Sequence, residues 1–135
     1  MRLYEQLNIE NVKLEPTEGI TRVKVVEEML QPNGILHGGI SAYLAENCAN
    51  QAAITGFSPE EAWPVGLNLE STHLLPVELG DTIETHATML RGGGRTQVWR
   101  VEQVRLSDGE LFNVSQLTIY VKRFKKPMPA APVAE

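Results

Sequence analysis

The residues best placed to do chemistry are one carboxylate, Glu46, and the segment Gln31-Pro32-Asn33-Gly34-Ile35-Leu36-His37-Gly38-Gly39 that precedes it. His37-Gly38-Gly39 falls at a turn-to-helix junction. The first N–H groups of a helix lack partners inside it and carry the positive end of its dipole, and glycine there lets a ligand approach the backbone. Such a terminus can bind a carbonyl oxygen and stabilise the oxyanion that develops on attack, worth about 10²–10³ in rate for one donor. Glu46 follows about two turns later. Its same-face neighbours Ala42, Ala49 and Ala53 leave room for a substrate and partly desolvate the carboxylate, a setting suited to a base. Periodicity alone also fits a plainer arrangement, in which Glu46, Asn47, Asn50 and Gln51 form the solvated stripe of an amphipathic helix. Ser41 lacks the second glycine of a nucleophile elbow. Nothing near Cys48 would stabilise a thiolate, which makes it a core residue.

These groups need a scaffold, and the chain supplies one helix and a run of strands. Residues 2–8 suit a short helical turn, and Ile20 to Glu27, rich in Val and Thr, reads as a strand. Gln31-Pro32-Asn33-Gly34 has strong turn chemistry. From Gly39 to Thr55 apolar residues recur at helical spacing among alanines, Gly56 can end the helix, and Pro59 and Pro64 mark a loop. Strands are predicted at Val65–Leu75, Thr82–Leu90, Arg95–Leu106 and Leu111–Lys122, joined by turns at Pro76–Asp81, Gly92-Gly93-Gly94 and Ser107-Asp108-Gly109-Glu110. Four strands linked as consecutive hairpins imply an antiparallel sheet of five strands with one helix on its apolar face, an α+β domain over residues 1–124. The remaining apolar surface and the sheet edges favour a homodimer. Residues 125–135, rich in Pro and Ala, read as a disordered tail.

The chain has 135 residues, 42% hydrophobic and 21% charged, and a net charge of −5. That is one domain with an ordinary core. It lacks the dense cationic face of sequence-independent nucleic-acid binding, although Lys122-Arg123 and Lys125-Lys126 form a local basic cluster. A single cysteine excludes an internal disulfide, and His37, His73 and His86 have no metal-ligand spacing. Without an apolar signal segment or membrane-length stretch, a reducing cytoplasm is expected.

Taken together, Gln31 through Gly39 followed by Leu44-Ala45-Glu46 resembles the active-site segment of hotdog-fold acyl-CoA thioesterases of the phenylacetate-degradation type, which include hydroxybenzoyl-CoA and dihydroxynaphthoyl-CoA thioesterases. Val65-Gly66-Leu67-Asn68 and Gly94-Arg95-Thr96-Gln97-Val98-Trp99 are similar to later strands of that family, so the resemblance runs from about Ile20 to Val121. It implies a hotdog fold and hydrolysis of a small acyl- or aryl-CoA. Glu46 would be nucleophile or general base, and the Gly38 N–H would polarise the thioester carbonyl. Gln31 and His37 would face Glu46 across a dimer interface. Asn50 stands where relatives often carry Ser or Thr that holds water or the acyl group. Gly93, Gly94, Arg95 and Thr96 would contact the nucleotide of coenzyme A, with Arg91, Arg95 or the C-terminal basic cluster meeting its phosphates. That charge is needed because Leu75-Pro76 replaces the Arg or Lys of relatives. The implied partners are an acyl-CoA substrate and a homodimer or dimer-of-dimers tetramer. Neither a metal nor a bound cofactor is implied. Two other readings stand beside this one, a hotdog enoyl-CoA hydratase or dehydratase and a non-catalytic acyl-CoA-binding module.

Overall fold

The computed structural model describes residues 1–124; the expected tail lies outside them. A short helix α1 (Leu3–Gln6) leads into strands β1 (Glu10–Glu15) and β2 (Glu18–Lys24). The long helix α2 (Gly38–Ile54) follows, then β3 (Ala62–His73), β4 (Thr82–Gly92), β5 (Thr96–Arg105) and β6 (Leu111–Arg123). All strands join one antiparallel sheet in the order β1-β2-β4-β5-β6-β3.

Three expectations need correction. The sheet has six strands, because Glu10–Glu15 pairs with β2 as an edge strand. Its mostly exposed residues and its charges, with Lys13 paired to Glu15 and Glu18, hide the alternation that marks a half-buried strand. The last four strands are also not consecutive hairpins: β3 pairs with β6, and β4 lies between β2 and β5. The connection from β3 to β4 crosses the start of α2 instead, where Val77 is buried and its carbonyl accepts the Leu36 N–H at 2.8 Å. Pro64 lies inside β3 rather than in a loop. Its missing N–H is tolerated because β3 is an edge strand.

The core explains why this sheet wraps this helix. Ala45, Cys48, Ala49, Ala52 and Ala53 pack on Ala87, Trp99, Val101, Leu117 and Ile119. Leu44 joins a second cluster with Val23, Met29, Leu36, Ile83 and Phe112. The small helix side chains let the strands come close, and each buried Leu, Ile or Val contributes roughly 1.5–3 kcal/mol. Gln103 is wholly buried, and its amide donates to the Ser41 carbonyl and to Thr85 Oγ1, both at 3.1 Å, which ties the first turn of α2 to the sheet. Cys48 belongs to this core; burial pushes its thiol up to about 11. Among the described residues no helix is long and apolar enough to cross a membrane.

Candidate active site

The turn before α2 is fixed by its own backbone. Gly34 has φ +87, and its N–H donates to the Gln31 carbonyl at 2.9 Å. Only glycine adopts that conformation without strain. Gln31 uses its side-chain amide to donate to Asn33 Oδ1 at 2.8 Å. His37 is the exposed N-cap residue, and its Nδ1 accepts the Gly39 N–H at 2.9 Å. The Ile40 and Ser41 N–H groups both donate to the His37 carbonyl. That leaves the Gly38 N–H without a partner among the described residues.

Gly38 also borders a cavity of about 450 Å³, together with Gln31, Ser41, His73 and an apolar wall that includes Leu74, Leu75 and Phe112. A side chain at position 38 would run into the His73 ring, since a Cβ there would lie 2.7 Å from Nε2. His73 is held in turn. Asn113, completely buried, donates from Nδ2 to His73 Nδ1 at 3.0 Å and to Ser71 Oγ at 2.9 Å, and accepts from Ser115 Oγ at 2.7 Å. A neutral imidazole accepting at Nδ1 carries its proton on Nε2, which faces the helix start. Two donors, one backbone and one imidazole, therefore serve the same cavity. Sequence reading placed His73 only as a residue without metal spacing; its sole signal was alternation along β3 with Leu69 and Ser71.

Glu46 lies elsewhere, about 12 Å further along α2. It borders a separate cavity of about 280 Å³ with Tyr43, Asn47 and Asn50. Its carboxylate rests against the backbone of Gly66 on β3, so any side chain at that position would displace it. The pairing of β3 with β6 shifts register between Gly66 and Asn68, and such a bulge bends an edge strand where a side chain must be accommodated. Among the described residues the Glu46 carboxylate forms neither a salt bridge nor a hydrogen bond. Asn50 Oδ1 is buried and also lacks a partner. Tyr43 titrates above its ordinary range because it is partly buried and lies near Tyr4.

The structure thus divides the residues picked out by sequence into three groups. Gln31 and Gly38, flanked by His37, stand at the helix start, and Glu46 and Asn50 stand together on the next turns. Gly93, Gly94, Arg95 and Thr96 form a third place, the β4–β5 hairpin, closed by the Gly93 N–H donating to the Thr96 carbonyl at 2.8 Å. Arg123 donates to the Gly94 carbonyl at 3.1 Å and lies over the Phe57 ring at 5.9 Å. Arg91 and Arg95 are exposed and pair with no carboxylate among the described residues. No three His, Cys, Asp or Glu side chains among the described residues could hold a metal ion.

One long helix wrapped by an antiparallel sheet defines a hotdog fold. The chain belongs to the thioesterase superfamily, whose profile matches residues 33–112, and it is a thioester hydrolase. It is 34% identical over 126 residues to the 1,4-dihydroxy-2-naphthoyl-CoA hydrolase of Listeria monocytogenes, covering 93% of this chain and 100% of that protein. Thioesterase HI1161 of Haemophilus influenzae superimposes with a TM-score of 0.82 at 30% identity, covering 91% of this chain and 84% of that one. The phenylacetic acid degradation protein PaaI of Thermus thermophilus does so with a TM-score of 0.78 at 26% identity, covering 87% and 96%.

Proposed function

We propose that this protein hydrolyses a small acyl- or aryl-coenzyme A thioester to the free acid and coenzyme A, at a site assembled from two copies of the chain. The observation that carries this reading is the open Gly38 N–H on one cavity and the unpaired Glu46 carboxylate on another. Neither group alone hydrolyses a thioester, and 12 Å or so along one helix is too far for both to meet one carbonyl. The open edge of β3 carries Trp63, Val65 and Leu67, exposed by 37%, 42% and 64%, beside the Gly66 against which the Glu46 carboxylate rests. An apolar free edge of this kind supports pairing with a second copy.

In the assembled site the thioester oxygen takes the Gly38 N–H, and Gln31, His37 and His73 line the approach of the leaving sulfur. Glu46 of the other copy either attacks the carbonyl carbon or removes a proton from a water that does so. In both routes the C–S bond breaks and coenzyme A leaves as thiolate and takes up a proton; after direct attack, water then cleaves the Glu46–acyl anhydride at the acyl carbon, which supplies the second carboxylate oxygen of the product and regenerates Glu46. Asn50, with its buried unpaired oxygen, orients that water. A thiolate leaves readily, so the reaction uses no bound cofactor, and coenzyme A belongs to the substrate. Gly93, Gly94, Arg95 and Thr96 meet its nucleotide, with Arg91 and Arg95 free to face the phosphates. The dihydroxynaphthoyl-CoA hydrolase among the relatives supports an aryl thioester.

The test is a panel of aryl-, short-chain and long-chain acyl-CoAs followed by free-thiol release. Cys48 is fully buried, out of reach of a thiol reagent. Thiol release with an aryl-CoA is the expected result; hydration of an enoyl-CoA without thiol release, or binding without turnover, would refute the reading.

A further inference from the structure

We infer that Gln103, wholly buried on β5, is a positioning residue for thioester cleavage, setting the aim of the Gly38 N–H through the Ser41 carbonyl. This rests on the proposed role of that N–H at the thioester oxygen and adds the group that holds it in place.

The first turn of α2 is poorly held by its own bonds. It opens on Gly38-Gly39, and glycine is the weakest helix former after proline. The bond from the Ser41 N–H to the His37 carbonyl, the first of the α-helical ladder, is 3.3 Å long, against 3.0 Å from the Ile40 N–H to the same oxygen. A tie from outside the helix therefore matters, and Gln103 provides it from the sheet. Both of its amide hydrogens are committed, one to the Ser41 carbonyl and one to Thr85 Oγ1, each at 3.1 Å. Gly38 and Ser41 are the two ends of one turn, so a shift of the Ser41 carbonyl moves the Gly38 N–H with it. A displacement of about 1 Å costs on the order of a hundredfold in rate.

The sheet gives this tie a second branch. Strand pairing sets Thr21, Thr85, Gln103, Asn113 and His73 side by side, one from each of β2, β4, β5, β6 and β3. Directly paired residues project to the same face, which makes a polar row about 19 Å long across the sheet. Gln103 and Asn113 are neighbours in it and both are wholly buried. One amide holds the helix turn that carries Gly38, and the other holds His73. Both donors at the cavity thus hang from one pair of buried side chains. Stability alone does not account for Gln103. Its Oε1 is buried with no partner among the described residues, a cost that an apolar side chain would avoid.

The test is Gln103→Leu/Thr85→Val, which replaces both hydrogen-bonding side chains by apolar ones, a change close to neutral for stability. With an aryl-CoA, kcat should fall about tenfold or more, the scale of weakening one oxyanion donor, while KM stays nearly constant and the thermal midpoint holds or rises. Gln103→Met, of nearly the same length, gives the same reading should the double variant fold poorly. Infrared spectra of bound S-phenacyl-coenzyme A, isotopically labelled at its ketone carbon, report the aim of the donors directly. The wild type should move the carbonyl band to lower frequency than in water, and the variants should lose most of that shift. Wild-type kcat and an intact shift in the variants, or a fall in activity that only tracks a lowered thermal midpoint, overturns the positioning role alone. A wild type that turns over thioesters yet leaves the ketone band unshifted would instead sink the proposed Gly38 contact, and this inference with it.

Discussion

At the start of α2 the polar groups hold one another, whereas eight residues further along the same helix they do not. His37 caps Gly39, Asn113 fixes His73, and Ser71 and Ser115 fix Asn113, so the Gly38 N–H, open among the described residues, points from a rigid frame. Glu46 rests on bare backbone at Gly66, and the Asn50 oxygen beside it is buried with no partner among the described residues. A rigid donor set is what oxyanion stabilisation needs, because donors fixed in advance do not reorganise as charge develops. A carboxylate that must attack or take a proton needs the opposite, freedom from partners that would hold its lone pairs. The difference assigns the two regions different tasks, and it can be broken region by region.

The largest loss should follow removal of the carboxylate. Glu46→Gln is expected to lower kcat about 10²–10⁴-fold with the thermal midpoint nearly unchanged, because no hydrogen bond or ion pair is lost. Gly66→Ala, which places a methyl where the carboxylate lies, should follow it in kcat; near-wild-type turnover in either would remove Glu46 from the chemistry. A smaller loss should come from loosening the rigid frame. Asn113→Ala leaves His73 and Ser71 without their shared donor, with an expected cost of roughly 1–3 kcal/mol in stability. Its kcat should fall about tenfold or more with KM little changed, read by steady-state kinetics beside a denaturant melt. A stability loss without a kcat loss would make the network merely structural. The smallest effect belongs to the hairpin: Arg95→Ala should raise KM severalfold for full CoA thioesters and leave pantetheine-truncated ones unaffected. Equal changes for both would detach Arg95 from the nucleotide.

Much of this architecture is legible in the chain. Alanine-rich periodicity marks α2, the Gln31–Gly34 turn and the glycines after His37 mark its start, and alternation marks β4, β5 and β6. β1 is not legible, because an exposed, charged edge strand has no buried face to produce a pattern. The β3–β6 pairing is hidden as well, since short turns suggest hairpins and nothing local shows that residues 74–81 cross the helix. Of the candidate site, local spacing marks Gly38 as an open helix start and leaves Glu46 between a base and a solvated stripe; resemblance supplies the roles of Glu46 and Asn50. Resemblance reached Gln31, His37 and the Gly93–Thr96 hairpin. His73 and Asn113 meet only through strand pairing forty residues apart, and no local signal carries that.

The central claim is that Glu46 and the Gly38 donor set act from different chains, and subunit mixing tests it most directly. Glu46→Gln and a Gln31→Ala/His73→Ala double variant, each nearly inactive, are unfolded together and refolded in equal amounts. Random pairing into dimers puts one intact site in half of them, so activity should return to about a quarter of the wild-type level. A mixture no more active than its parents would contradict the account and place the whole site within one chain.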